Sequence, residues 1–164
     1  MAKATPELIQ ALQETADRIE RGERYQWSHM GSCNCGHLAQ TLTQYTHSEI
    51  HANALNRSGD WTEQANDYCP TSGLLIDAII DVMLDIGMTR DDIRHLEKLS
   101  DRKVLRRFPI GERDLQHNKR DDVVAYIRAW AELLTEELGD RGPEANAPAA
   151  STTTPDAPQP EVAA

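Results

Sequence analysis

Aromatic residues are in short supply: one Phe, three Trp and four Tyr among 164 residues. Leu, Ile, Val and Ala must therefore supply most of the packing, and a hydrophobic content of 39% suffices for a single core. Cations are outnumbered too, with 17 Lys and Arg against 27 Asp and Glu and a formal net charge of -10. Phosphate binding needs local cationic density, so this balance argues against a general nucleic-acid binder. No run is long and apolar enough to cross a bilayer. The opening residues Met1-Ala2-Lys3-Ala4-Thr5-Pro6-Glu7 lead into a polar amphipathic pattern, not the apolar run of a signal peptide. The expectation is a cytoplasmic protein whose thiols stay reduced. Three cysteines cannot all pair within one chain, which argues against a disulfide framework.

What the chain does have is concentrated in one stretch, from Trp27 through Ser28-His29-Met30-Gly31-Ser32-Cys33-Asn34-Cys35-Gly36-His37 to Gln40. It holds two of the three cysteines, two of the six histidines and one of the three tryptophans, where a glycine-containing loop enters a helix.

Around it the spacing predicts helices. Thr5 and Pro6 start one that Gly22 ends, with Leu8, Ile9, Leu12, Ala16 and Ile19 on one face. Leu38, Ala39, Leu42 and Tyr45 recur at helical spacing, and Thr46 to Glu49 matches a capping box for a short helix carrying Ile50, Ala54 and Leu55. Residues 56–70 read as irregular. A strongly apolar helix follows over about 71–86, apolar on most sides and therefore placed at the centre of the bundle. Gly87 ends it, Thr89 caps a helix carrying Ile93, Leu96 and Leu99, and a last helix runs from Asn118 to about Leu138. No strand or internal repeat is expected. The fold class is all-α: an irregular single-domain bundle of about five to seven helices over 1–138, followed by a disordered Ala/Pro/Thr-rich tail over 139–164.

Three functional readings follow. In the first, Cys33, Cys35 and Cys69 with His37 or His29 form a metal site, since thiolate and imidazole are the donors that Zn or Fe favours. It requires the two irregular stretches to pack together, bringing Cys69 beside Cys33 or Cys35 under a cover of Tyr25, Trp27, Trp61 and Tyr68. In the second, the protein is a thiol-dependent enzyme or redox protein. Cys35 and Cys33 are the candidate catalytic residues, because a helix start lowers a thiol pKa, with His29, His37, His47 or His51 as base or Cys69 as resolving thiol. Gly31-Ser32-Cys33 resembles the Gly-Ser-Cys nucleophile block of papain-like cysteine proteases over these three residues. The upstream cysteine and following aromatic residue of that block are absent, and no residue role is carried over. In the third reading the chain is a helical interaction module without chemistry, working with a protein partner or a second copy of itself.

Three further patterns have simpler expectations. His47 and His51 share a helix face at metal-ligand spacing, and a solvated face beside Glu49 is the preferred explanation. Asp77, Asp81 and Asp85 form an i, i+4, i+8 ladder expected to face water. Arg102, Lys103, Arg106 and Arg107 are the densest basic run and are expected to neutralise acidic neighbours. The HExxH pattern of zinc proteases is absent.

Overall fold

Thr5 accepts a hydrogen bond from the Leu8 amide and Pro6 takes the first helical position, so α1 (Pro6–Glu20) begins where its capping residues dictate. The computed structural model of the protein describes residues 1–142, and the expected 139–164 tail lies outside the described residues from 143 onward. Leu8, Leu12, Ala16 and Ile19 of α1 are buried against α8 (Arg120–Asp140), which contributes Val123, Ile127, Trp130 and Leu134. The pair runs antiparallel: Arg120 donates to the Glu23 carbonyl, while Arg128 bonds Asp17 and Glu20 further back along α1.

The other helices join this pair mainly through two that pack on it, one on α1 and one on α8. Among the described residues the other helices are α2 (Asn34–Thr43), α3 (His47–Ala54), α4 (Trp61–Asn66), α5 (Leu75–Asp85), α6 (Arg90–Lys98) and α7 (Arg102–Leu105), followed by a 3-10 turn at Ile110–Glu112. Complete capping boxes start α3 at Thr46/Glu49, α4 at Asp60/Glu63 and α6 at Thr89/Asp92. No strand occurs among the described residues, and the all-α single-domain class stands. No helix among them is long and apolar enough to cross a membrane.

The structure departs from the expected pattern in four places. Residues 61–66 form α4 where an irregular stretch was expected. The apolar helix starts at Leu75, not near residue 71, because Gly73 adopts φ 76° and breaks the run. It packs against α2, α3 and α4 but leaves Ala78 and Asp85 exposed, whereas every residue from Asn34 to Ala39 of α2 is buried. The most enclosed element is therefore α2, in contact with α1, α3, α5 and α6. At the far end, α8 continues through Gly139 to Asp140, past the expected boundary at residue 138.

The aspartate ladder also differs. Only Asp85 is exposed; Asp81 accepts a hydrogen bond from the Tyr68 hydroxyl, and Asp77 is buried. The Asp77 carboxylate meets Arg57 through two bonds, 2.8 and 2.9 Å long. Burial opposes its ionisation, yet hydrogen bonds from Arg57 and Ser72 and the guanidinium charge hold its carboxyl below the usual range. Arg57 also donates to the Gln64 side chain and to the Gln64 and Asp67 carbonyls, so one guanidinium ties α4 to α5. Removing one member of a buried pair strands the other's charge, which costs about 3 kcal/mol or more. Arg57→Met is expected to lower unfolding free energy by about that amount in urea denaturation, with Arg57→Lys only partly restoring it because a point charge cannot make the two-bond contact. An unchanged urea midpoint for Arg57→Met would refute this account of Asp77.

Candidate functional site

The loop over residues 22–33 lies directly on α2 and α3. A Cβ at Gly31 would collide with the His47 carbonyl, and one at Gly36 would sit 2.5 Å from the Gly31 carbonyl carbon. Only backbone fits there, and the close approach brings each reactive side chain to a partner. Cys33 is the N-cap of α2: its sulfur accepts the Gly36 amide at 3.4 Å and its S–H points to the Met30 carbonyl. Cys35 is turned to the opposite flank and donates to the Ile93 carbonyl of α6. Between them, the Asn34 side-chain amide donates to the Leu96 and Glu97 carbonyls at the end of α6. The buried Glu97 carboxylate in turn accepts the Trp61 and Thr62 amides that open α4.

His37 is buried on the flank away from Cys35. Its Nε2 lies 2.8 Å from the Arg24 carbonyl, which can only accept, so Nε2 carries the proton. Nδ1 is left without a hydrogen-bond partner among the described residues, with a Glu23 carboxylate oxygen 4.0 Å away. His29 stacks on His51 with ring centroids 3.9 Å apart, and His47 meets His29 edge-on at 5.7 Å. The His47/His51 spacing was visible in the sequence; their meeting with His29 was not. Cys69 stands apart, exposed in the loop before α5 beside the Thr71 hydroxyl.

The expected donor set is therefore not brought together. Among the described residues no three His, Cys, Asp or Glu side chains form a group able to hold a metal ion. Cys33 and Cys35 are buried and engaged on different flanks of α2, and Cys69 is on the surface. The three histidines do not substitute for them. Nδ1 of His29 accepts the Gly31 amide and Nδ1 of His51 accepts the Met30 amide, so each neutral ring carries its proton on Nε2. Ligation through Nε2 would move that proton to Nδ1, opposite a backbone N–H.

Electrostatics also disfavours thiolate at the helix-start cysteines. Burial pushes Cys33 up to about 12, outweighing the Gly36 amide that favours thiolate. Burial likewise raises Cys35 well above the usual thiol range, with Cys33 and Glu97 adding to it. Cys69 is lowered by its bonds to Thr71. The basic run is similarly accounted for in part: Arg107 and Arg128 line an open groove of about 490 Å³ between α8 and the segment after α7, but Arg107 pairs with Glu132 and Glu136 and Arg128 with Asp17 and Glu20.

Comparison with protein-family models, curated proteins and solved structures found no match to this chain.

Two measurements follow. A disulfide-exchange reagent is expected to titrate one thiol, Cys69, in the native protein and three after unfolding; rapid native labelling of Cys33 or Cys35 would contradict their burial. The second concerns pH. Burial lowers the pKa of His37, and burial with neighbouring cationic groups lowers that of His29. The unfolded chain then takes up protons first, so stability is full above the ordinary value of about 6.5 and declines as pH falls below it. His37→Gln, whose amide N–H can still donate to the Arg24 carbonyl, is expected to flatten that decline in pH-dependent urea melts; an unaltered slope would remove His37 from the account.

Proposed function

We propose that this chain acts in the cytoplasm as a helical interaction module, engaging a protein partner through its outer surface, with the Cys/His stretch serving architecture. The observation that carries this reading is the way Cys33, Cys35 and His37 are buried and turned to backbone carbonyls of the surrounding loop and α6. A nucleophile or ligand needs an accessible lone pair. In Cys33, Cys35 and His37 each such group is enclosed or committed to the frame, and the exposed Cys69 stands apart from them. Three unpaired cysteines, one of them exposed, support a reducing compartment. The most exposed large apolar side chains are Leu55 and Ile110, at 67% and 84%, which makes them places where contact can be altered without touching the core.

Elemental analysis of protein purified without a metal-affinity tag, paired with thermal melts with and without EDTA, tests the architectural half. The expected result is no stoichiometric Zn or Fe and an unmoved melting temperature. One bound equivalent whose removal lowers the melting temperature would overturn the reading in favour of a metal centre. The contact half is tested by cross-linking in cells with Leu55→Asp and Ile110→Asp variants. Loss of a defined cross-linked complex in either variant, with the melt preserved, supports a surface module; the absence of any complex in the unaltered protein counts against it.

A further inference from the structure

The stacked histidines do something the rest of the frame does not. Two of them use a ring nitrogen as the acceptor for a backbone N–H: His29 for Gly31 at 3.2 Å, and His51 for Met30 at 3.1 Å. The second bond crosses from α3 to the loop, and it lies beside the point where Gly31 presses on the His47 carbonyl. We infer that His29, His47 and His51 form an acid-released clasp that holds α3 onto the 28–31 segment while the rings are neutral and lets it go when they are protonated.

Two effects act together. An imidazolium carries a proton on both nitrogens, so protonating His29 or His51 replaces an acceptor with a donor facing another donor. A second proton then places like charges on rings stacked 3.9 Å apart at 16°, with the His47 ring edge-on beside them. The surroundings offer no relief. The charged side chain acting on His29 besides the other two histidines is Arg24, a further cation. On α3, the Glu49 carboxylate is engaged by the Thr46 amide and hydroxyl. From α2 the loop meets the neutral Gln40 amide, and from α4 the Trp61 indole N–H, which bond the Gly31 and Met30 carbonyls. On α4, Asp60 accepts the Glu63 amide and lies near Lys98, and Glu63 bonds the Asp60 amide. Among the described residues the histidine that lies within ion-pair distance of a carboxylate is His37, not a member of this cluster.

The two sides of the contact respond differently. The loop stays tied to α2 and α4 by Gln40 and Trp61, bonds that do not titrate in this range. What is freed is α3, an eight-residue helix that keeps its capping box but loses its polar link to the loop. The helix still packs on α2 and α5, and the Gln64 amide still holds the Ala54 carbonyl, so acid loosens the loop-facing side of α3 alone.

Amide hydrogen exchange by NMR reads the clasp directly. Between about pH 7.5 and about pH 5, protection factors of the Met30 and Gly31 amides are expected to fall by at least about tenfold while those in the middle of α8 hold. The paired variant His29→Asn/His51→Asn supplies an amide oxygen where Nδ1 stood and cannot be protonated, so its protection should be insensitive to pH over the same interval. Unchanged protection in the unaltered protein, or an equal loss in the Asn variant, would overturn the proposal. Should the variant fail to fold, imidazole nitrogen shifts of the unaltered protein decide. The clasp requires Nδ1 of His29 and His51 to be unprotonated at neutral pH and to gain a proton over the interval in which protection is lost. A protonated Nδ1 at neutral pH would exclude it.

Discussion

The constraint on which the arrangement depends is the backbone-to-backbone contact of the 28–33 segment with α2 and α3. At Gly31 and Gly36 there is no room for a Cβ. Packed interiors tolerate extra methyl groups poorly, and here the obstructing atoms belong to main chain, which cannot swing aside. Replacing Gly36 by Ala would gain up to about 1 kcal/mol of helix propensity, yet a collision with the Met30–Gly31 backbone outweighs it. Once that contact is made, the Met30 carbonyl reaches the Trp61 indole, the Gly31 carbonyl reaches Gln40, and Cys33 falls at the N-cap of α2. The dense Cys/His chemistry of the sequence is, in space, a dense junction.

Such a junction buries polar groups, and most find a partner, Ser32 Oγ and His37 Nδ1 being exceptions among the described residues. A net hydrogen bond contributes only about 1 kcal/mol, but an orphaned buried group costs about 1–3. The buried carboxylates show how this is met without metal or catalysis. Glu97 accepts the amides that begin α4, Asp92 accepts those of Thr89 and Ala2, and Asp77 takes Arg57. Gln64 donates to the Ala54 and Arg57 carbonyls from beneath. Charge is used here to join elements distant in sequence, which the spare aromatic content leaves less able to be joined by packing alone.

Local signals were legible in the sequence and distant ones were not. Thr5 with Pro6, Thr46 with Glu49, and Thr89 each mark a helix start, because a cap needs only residues three positions apart. The same signal, Asp60 with Glu63, marked α4, but six residues with a single large apolar side chain give no periodicity to support it. The polarity of Asp77 read as solvent exposure because its partner sits 20 positions away in a stretch that looked irregular. Thiol burial was equally out of reach: the Cys35 environment is set by α6, 58 residues on. Cys33 and Cys35 looked reactive because a helix N-terminus favours thiolate, and that inference omitted desolvation, the larger effect once α6 covers the site.

The histidines show what residue choice adds to geometry. An acceptor for the Met30 or Gly31 amide could be an asparagine or serine oxygen at neutral pH, as serine and threonine provide elsewhere in this chain. A ring supplies in addition a flat apolar face for stacking and a proton affinity near physiological pH. The Asp77 carboxyl is held below the usual carboxylate range, so its link to Arg57 keeps its charge as pH falls from neutral toward 5. Acid in that range therefore acts on the histidine contacts and spares the Arg57–Asp77 pair. The consequence is directional: a mild drop in pH loosens α3 against the loop while α4 and α5 remain joined through Arg57.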